Sequence, residues 1–175
     1  KHNFLVRRVE DIPRAIREAF YIASSGRPGP VVVDITKDAQ QASCAFEWSD
    51  EPIELPGYRP EQIVREDDLA EAVRLLERAE RPLILAGQGV IRARATEHLL
   101  ALVGKQDIPV ACTLLGLGGF PATHPMALGM AGMHGEAWVN KAIQEADVIL
   151  ALGMRFDDRI TGNPKTFAAK AKKIH

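Results

Sequence analysis

Cysteine is scarce in this 175-residue chain: only Cys44 and Cys112 occur, far apart, with no CxxC and no ligand-like spacing to the five histidines. That excludes a disulfide scaffold, argues against a metal site and suits a reducing compartment. No apolar run approaches the ~20 residues of a membrane span. An excess of one charge is missing too. The 22 Lys and Arg residues against 23 Asp and Glu leave a net charge of -1, which gives no general attraction to nucleic acid or acidic membranes. The chain opens KHNFLV without an initiator Met and ends AKKIH as a strand begins. Both ends read as cuts through a longer protein, so the lack of a targeting segment decides nothing.

What is present is ordinary for a globular protein: 46% hydrophobic and 26% charged residues. The length allows one domain with a sizeable core, or one domain and part of another. Residues 11–24 carry Ile12, Ala15, Ile16 and Ala19 at helical spacing, with Asp11 as a cap candidate and Pro13 in the first turn. SGRPGP then breaks the chain, and PVVVDI (30–35) reads as a buried parallel strand. Nothing before this αβ unit reads as a strand to pair with, so it is expected to be disordered or to borrow a neighbouring molecule. Residues 38–62 are aperiodic, with prolines and scattered aromatics, and read as a connector.

From Asp67 helix and strand alternate. Leu69, Ala72, Val73 and Leu76 mark a helix before strand PLILAG (82–87); Thr96, Leu99, Leu100 and Val103 mark one before IPVACT (108–113). Val139, Ala142, Ile143 and Ala146 mark a third before DVILALG (147–153), and a further helix is expected over 164–171. Uniformly apolar strands between amphipathic helices predict a doubly wound α/β fold, a Rossmann-like parallel sheet covered on both faces.

Ligands of such sheets bind beyond the carboxyl ends of the strands. The residues there are Gly87-Gln88-Gly89, Thr113-Leu114-Leu115-Gly116, GMAGMHG (129–135) and GMRFDDR (153–159). Each has a bland reading. One GxG is a weak signal, and Arg92 stands where the dinucleotide fingerprint needs its third glycine. The methionines fill gaps, and RFDDR is a solvated cluster whose pairs contribute ~0–1 kcal/mol each. Convergence on one sheet edge changes the balance, because glycines let a ligand approach the backbone and arginines suit a diphosphate. A nucleotide-type cofactor is the expected occupant.

The segments GRPGPVVVDITKDAQ, RPLILAGQGV, IPVACTLLGLGGFP, GMAGMHGEAWVNKAIQEADVILALGMRFDDRITG and KKIH closely resemble the acetolactate synthase (acetohydroxyacid synthase) family of thiamine-diphosphate enzymes. MHG together with GMRFDDRITG is the most specific part. The resemblance implies three divisions: residues 1–45 as the αβ end of a pyrimidine-binding domain, 46–60 as a linker and 61–175 as most of an FAD-binding central domain. It implies that Arg27, Gly87, Gln88, Gly89, Thr113, Leu114, Leu115, Ala131, Gly132, Met133, His134, Gly153, Arg155, Asp157 and Ile160 line FAD. Lys37, Asp158 and Arg159 match positions near the substrate channel, Arg159 facing the carboxylate of an incoming 2-ketoacid. Gln88 stands where many members of the family have glycine.

The activity implied is the condensation of two 2-ketoacids with loss of CO₂, on the way to branched-chain amino acids. Thiamine diphosphate and Mg²⁺ serve the parent enzyme. Its activating glutamate falls ahead of Lys1, and no GDG with a distal asparagine appears. The chain alone is therefore expected to bind FAD at most and to be inactive. A homodimeric or tetrameric parent, a regulatory small subunit, and a cytoplasmic or organellar location are the accompanying expectations. The rival readings are a relative such as glyoxylate carboligase or pyruvate oxidase, and a dinucleotide-binding module without catalysis.

Overall fold

The computed structural model describes residues 1–60 and 64–175. The chain divides into two compact units, Lys1–Val64 and Arg65–His175. The predicted boundary at residue 61 lies outside the described residues.

The first unit contains strand β1 (His2–Val6), a 3-10 turn (Val9–Asp11), helix α1 (Ile12–Ser24), strand β2 (Val31–Ile35) and short helix α2 (Lys37–Gln41). Helix α1 buries Ala15, Ala19 and Ile22 on one stripe. Asp11 does occupy its N-cap, but in a helical conformation and without a capping side-chain bond. Its carboxylate instead takes Arg14 at 3.3 Å.

The PVVVDI strand is not partnerless, contrary to expectation. It pairs in parallel with β1, in register from His2 opposite Val31 to Val6 opposite Ile35. The HNFLV segment is only five residues long, too short for a periodic signal to declare it. The ordered ribbon still leaves Leu5 and Val32 exposed. The connector also starts later than expected, because residues 38–41 continue α2.

The second unit is a five-stranded sheet with all neighbours parallel, in the order β5-β4-β3-β6-β7. Its elements in chain order are α3 (Glu66–Glu77), β3 (Pro82–Ala86), α4 (Gln88–Arg92), α5 (Thr96–Gln106), β4 (Val110–Cys112), β5 (Ala127–Met130), α6 (Ala137–Glu145), β6 (Val148–Leu152), α7 (Asp158–Thr161) and β7 (Lys172–Ile174). The period of two along β3 explains why its run is apolar throughout. Leu83 and Leu85 enter one core with Val139 and Ile143 of α6, while Ile84 and Ala86 enter the other with Leu99 and Val103 of α5. Full burial of such a side chain contributes ~1.5–3 kcal/mol. The doubly covered parallel sheet follows.

One local expectation needs correction, and two features add to the rest. The predicted helix at 164–171 is a chain of turns, tied by the Thr166 and Phe167 N–H groups to Asn163 O, with Ala168 at φ 43°. Helix α3 forms, yet Leu69 and Val73 on its apolar stripe stay exposed. Strand β5 was hidden by its glycine, Gly129, which sits at φ 110°. Strand order matters most for the site. The chain steps outward from β3 to β4 and β5, then returns to the other side of β3 as β6. That reversal puts a topological switch point between β3 and β6, where strand-end loops leave a crevice.

Candidate functional site at the carboxyl edge of the sheet

Main-chain hydrogen bonds stitch together the loops that follow four strands. Gly87 N–H donates to Leu152 O at 2.9 Å and Gly89 N–H to Gly153 O at 2.8 Å, joining the ends of β3 and β6. Thr113 N–H reaches Ala86 O at 2.9 Å, and Ala131 N–H reaches Cys112 O at 2.8 Å. All four glycine-marked segments therefore meet on one edge of the sheet.

The glycines themselves have a different reason from the one anticipated. A Cβ on Gly89 would stand 2.5 Å from Gly153 Cα, and one on Gly153 2.6 Å from Gly89 Cα. A Cβ on Gly87 would strike Gly153 O, and one on Gly116 would strike Ala86 O. The place a Cβ would take at Gly87, Gly89 and Gly153 is occupied by neighbouring backbone. These glycines let the loops close on each other. Gln88, lying between two of them, opens α4.

After β4, Thr113 Oγ1 accepts from Gly116 N–H at 3.1 Å and fixes the 3-10 turn Leu114–Gly116. That turn leaves Leu114 and Leu115 exposed by 66% and 56%. Burial pushes the nearby Cys112 thiol up, against a smaller opposing hydrogen bond from the Phe120 backbone.

Residues 130–135 form a loop gripped from two sides. Glu136, at the N-cap of α6, accepts Met130 N–H on Oε2 at 2.7 Å, while Asn140 of α6 both accepts from Gly132 N–H (2.9 Å) and donates to Gly132 O (2.8 Å). From α7, Arg159 O accepts Met133 N–H at 2.8 Å. Gly132 sits at φ 103°, and a Cβ on it would stand 2.7 Å from that same carbonyl. Met133 and His134 are left exposed, whereas the Ala131 methyl belongs to the core with Val139. Glu136 and Asn140 did not emerge from the sequence reading. Their signal was an acid and an amide four residues apart behind a glycine-rich loop, a spacing that puts both on one helix face.

The RFDDR charges sit at the surface and pair locally. Arg155 Nε donates to Asp157 Oδ2 at 3.0 Å, and Asp157 Oδ1 caps α7 by accepting Ile160 N–H at 3.2 Å. Ile160 packs against the core. Asp158 and Arg159 approach only to 3.9 Å, both largely exposed. With 70% of each side chain open to solvent, the Arg155 and Arg159 guanidinium groups keep donors available. Arg27 and Lys37 belong to the first unit, both exposed, beside Gly26 and at the start of α2. That unit also contains an apolar groove of about 740 Å³ between α1 and residues 44–53, walled by Phe20, Phe46 and Trp48. Its wall has few polar groups with which to orient a ligand.

Residues 69–175 match the family described as thiamine pyrophosphate enzyme, central domain. The chain belongs to that family. Three relatives extend the likeness over the whole chain. An acetolactate synthase of Mycobacterium bovis is 50% identical over 175 residues, which are all of this chain and 28% of that protein. A probable acetolactate synthase large subunit of Methanocaldococcus jannaschii is 48% identical over 177 residues, 30% of its length. A chloroplastic acetolactate synthase of Nicotiana tabacum is 46% identical over 177 residues, 26% of its length. The chain thus spans less than a third of these relatives. Among the described residues no helix is long and apolar enough to cross a membrane, and no three His, Cys, Asp or Glu cluster as metal ligands. For a thiamine pyrophosphate enzyme central domain, the stitched edge between β3 and β6 is the surface on which to look for a ligand.

Proposed function

We propose that the chain is the FAD-holding central domain of an acetolactate synthase, joined to the αβ end of its pyrimidine-binding domain. One observation carries the FAD reading. Four strand-end loops are tied together along one edge of the sheet, and they expose both the guanidinium groups of Arg155 and Arg159 and the apolar Leu114, Leu115 and Met133. Cations for a diphosphate next to apolar faces for flat rings are a donor set that fits FAD.

In this reading Arg155, steadied by Asp157, meets the anionic middle of the cofactor. The exposed side chains after β4 and β5 meet its rings. Asp158 and Arg159 belong to the substrate channel, where Arg159 pairs with the carboxylate of the second 2-ketoacid. FAD supplies a redox-active ring that the condensation does not use, since joining two 2-ketoacids with loss of CO₂ leaves no net change in oxidation state. Thiamine diphosphate and Mg²⁺ are assigned to other domains of the parent. The chain by itself is therefore an inactive flavin-binding piece of a homodimeric or tetrameric transferase, to which a regulatory small subunit attaches. It works in the cytoplasm or in an organelle.

The test is direct. The purified chain is titrated into FAD while flavin fluorescence is followed, with and without excess NAD as a competitor. Saturable flavin quenching that NAD does not reverse supports the reading; no change in flavin fluorescence rejects it.

A further inference from the structure

Helix α6 does more than cover the sheet. Glu136 and Asn140 lie one turn apart and between them satisfy three backbone groups of the 130–135 loop. Gly132 is held on both its N–H and its carbonyl by one amide side chain, a two-way clamp that no other residue type of that size reproduces. The far side of the loop is tied to α7 through Met133 N–H and Arg159 O. Every restraint ends on backbone, while the Met133 and His134 side chains remain exposed.

We propose that Asn140 is a positioning residue for flavin binding: it never meets the cofactor, and it fixes the loop that presents Met133 and His134 to it. The inference rests on the FAD reading above and names a residue which that reading does not assign. Without the clamp, the Gly132 carbonyl keeps the Gly135 N–H at 2.9 Å but the Gly132 N–H loses its partner, and a residue with no Cβ has little steric barrier to other conformations. The loop must then be ordered when FAD binds, and that ordering weakens affinity.

The experiment uses the whole protein in its natural length, as wild type, Asn140→Ala, Asn140→Asp and Asp147→Asn. Asp147 holds a loop remote from this one and serves as a control for general destabilisation. FAD affinity is read by fluorescence titration, the flavin environment by the shape of its visible absorption bands, and loop order by hydrogen exchange at Gly132 and Met133. Asn140→Ala should raise the FAD dissociation constant on the order of tenfold, as expected for two lost hydrogen bonds. It should also blur the band structure and release protection at both amides. Asn140→Asp keeps the acceptor for Gly132 N–H and should fall between wild type and Ala. Asp147→Asn should leave FAD affinity unchanged, however much it lowers the melting temperature. Wild-type affinity in Asn140→Ala overturns the proposal, and so does equal weakening in Asp147→Asn. If Ala fails to fold, wild-type affinity in Asn140→Asp overturns it as well. A wild-type protein that takes up no FAD fails the underlying reading, an outcome told apart by the titration of wild type alone.

Discussion

Gly89 and Gly153 meet backbone to backbone: Gly89 N–H donates to Gly153 O at 2.8 Å, and a Cβ on Gly153 would stand 2.6 Å from Gly89 Cα. This contact joins the ends of two adjacent strands at the point where the chain reverses direction across the sheet. Gly153 also sits at φ 58°, a region costly to residues with a Cβ. Gly153→Ala therefore combines a clash with strain and should cost about 3 kcal/mol or more. Chemical denaturation of the chain measures it. A loss under about 1 kcal/mol would mean that the two loops do not touch in solution.

Gly104 gives the opposite sign. It lies in α5 with nothing within 4 Å of its missing Cβ and without positive φ. Alanine there removes only the flexibility of glycine, so Gly104→Ala should stabilise by about 0.5–1 kcal/mol. A thermal melt that rises by a few degrees is the expected result.

Asp147 ties the turn before β3 to the turn before β6. Its carboxylate accepts Glu80 N–H at 2.7 Å and Arg81 N–H at 3.0 Å. Burial pushes this carboxyl up, but the N–H groups of Glu80, Arg81, Asp147 and Val148 outweigh that and hold it below its ordinary 3.8. A lowered native value means that the stabilisation is complete above the ordinary value and disappears as pH falls through the lower one. Asp147→Asn should cost about 1–2 kcal/mol at pH 7. The gap between variant and wild type should shrink as pH is taken below 3.8. Urea midpoints at pH 7 and at acid pH check this, and a gap that widens in acid refutes it.

Strands PLILAG and DVILALG announced themselves because burial on both faces leaves no place for polar residues along them. From those strands and the helices between, the doubly wound sheet follows. Elements of three to five residues did not show: α4 and α7 are stabilised by loop contacts and a cap, not by periodicity, and β1 is set by its pairing with β2. At the candidate site, glycines at strand ends were visible but their cause was not. A glycine needed for loop crowding and one needed for ligand approach look alike in one dimension. The Asn140 clamp was equally invisible, since it bonds to backbone, and backbone carries no letter.

Arg155 and Arg159 lie four positions apart, and their settings differ in the way the two proposed roles require. Arg155 is braced by Asp157 at 3.0 Å, and that same carboxylate caps α7. Arg159 is held only loosely, 3.9 Å from Asp158, with most of its side chain in solvent. A braced guanidinium suits a permanently bound diphosphate, whereas a loose one suits a substrate that arrives and leaves. In the whole protein Arg155→Ala should weaken FAD about 10-fold or more, from the loss of a charged hydrogen bond. Arg159→Ala should raise KM for the acceptor 2-ketoacid while changing the FAD dissociation constant less than about 2-fold, because no flavin contact is lost. Fluorescence titration and steady-state kinetics with FAD saturating separate the two effects. Should Arg159→Ala lose FAD and keep its acceptor preference, the assignments of the two arginines are reversed.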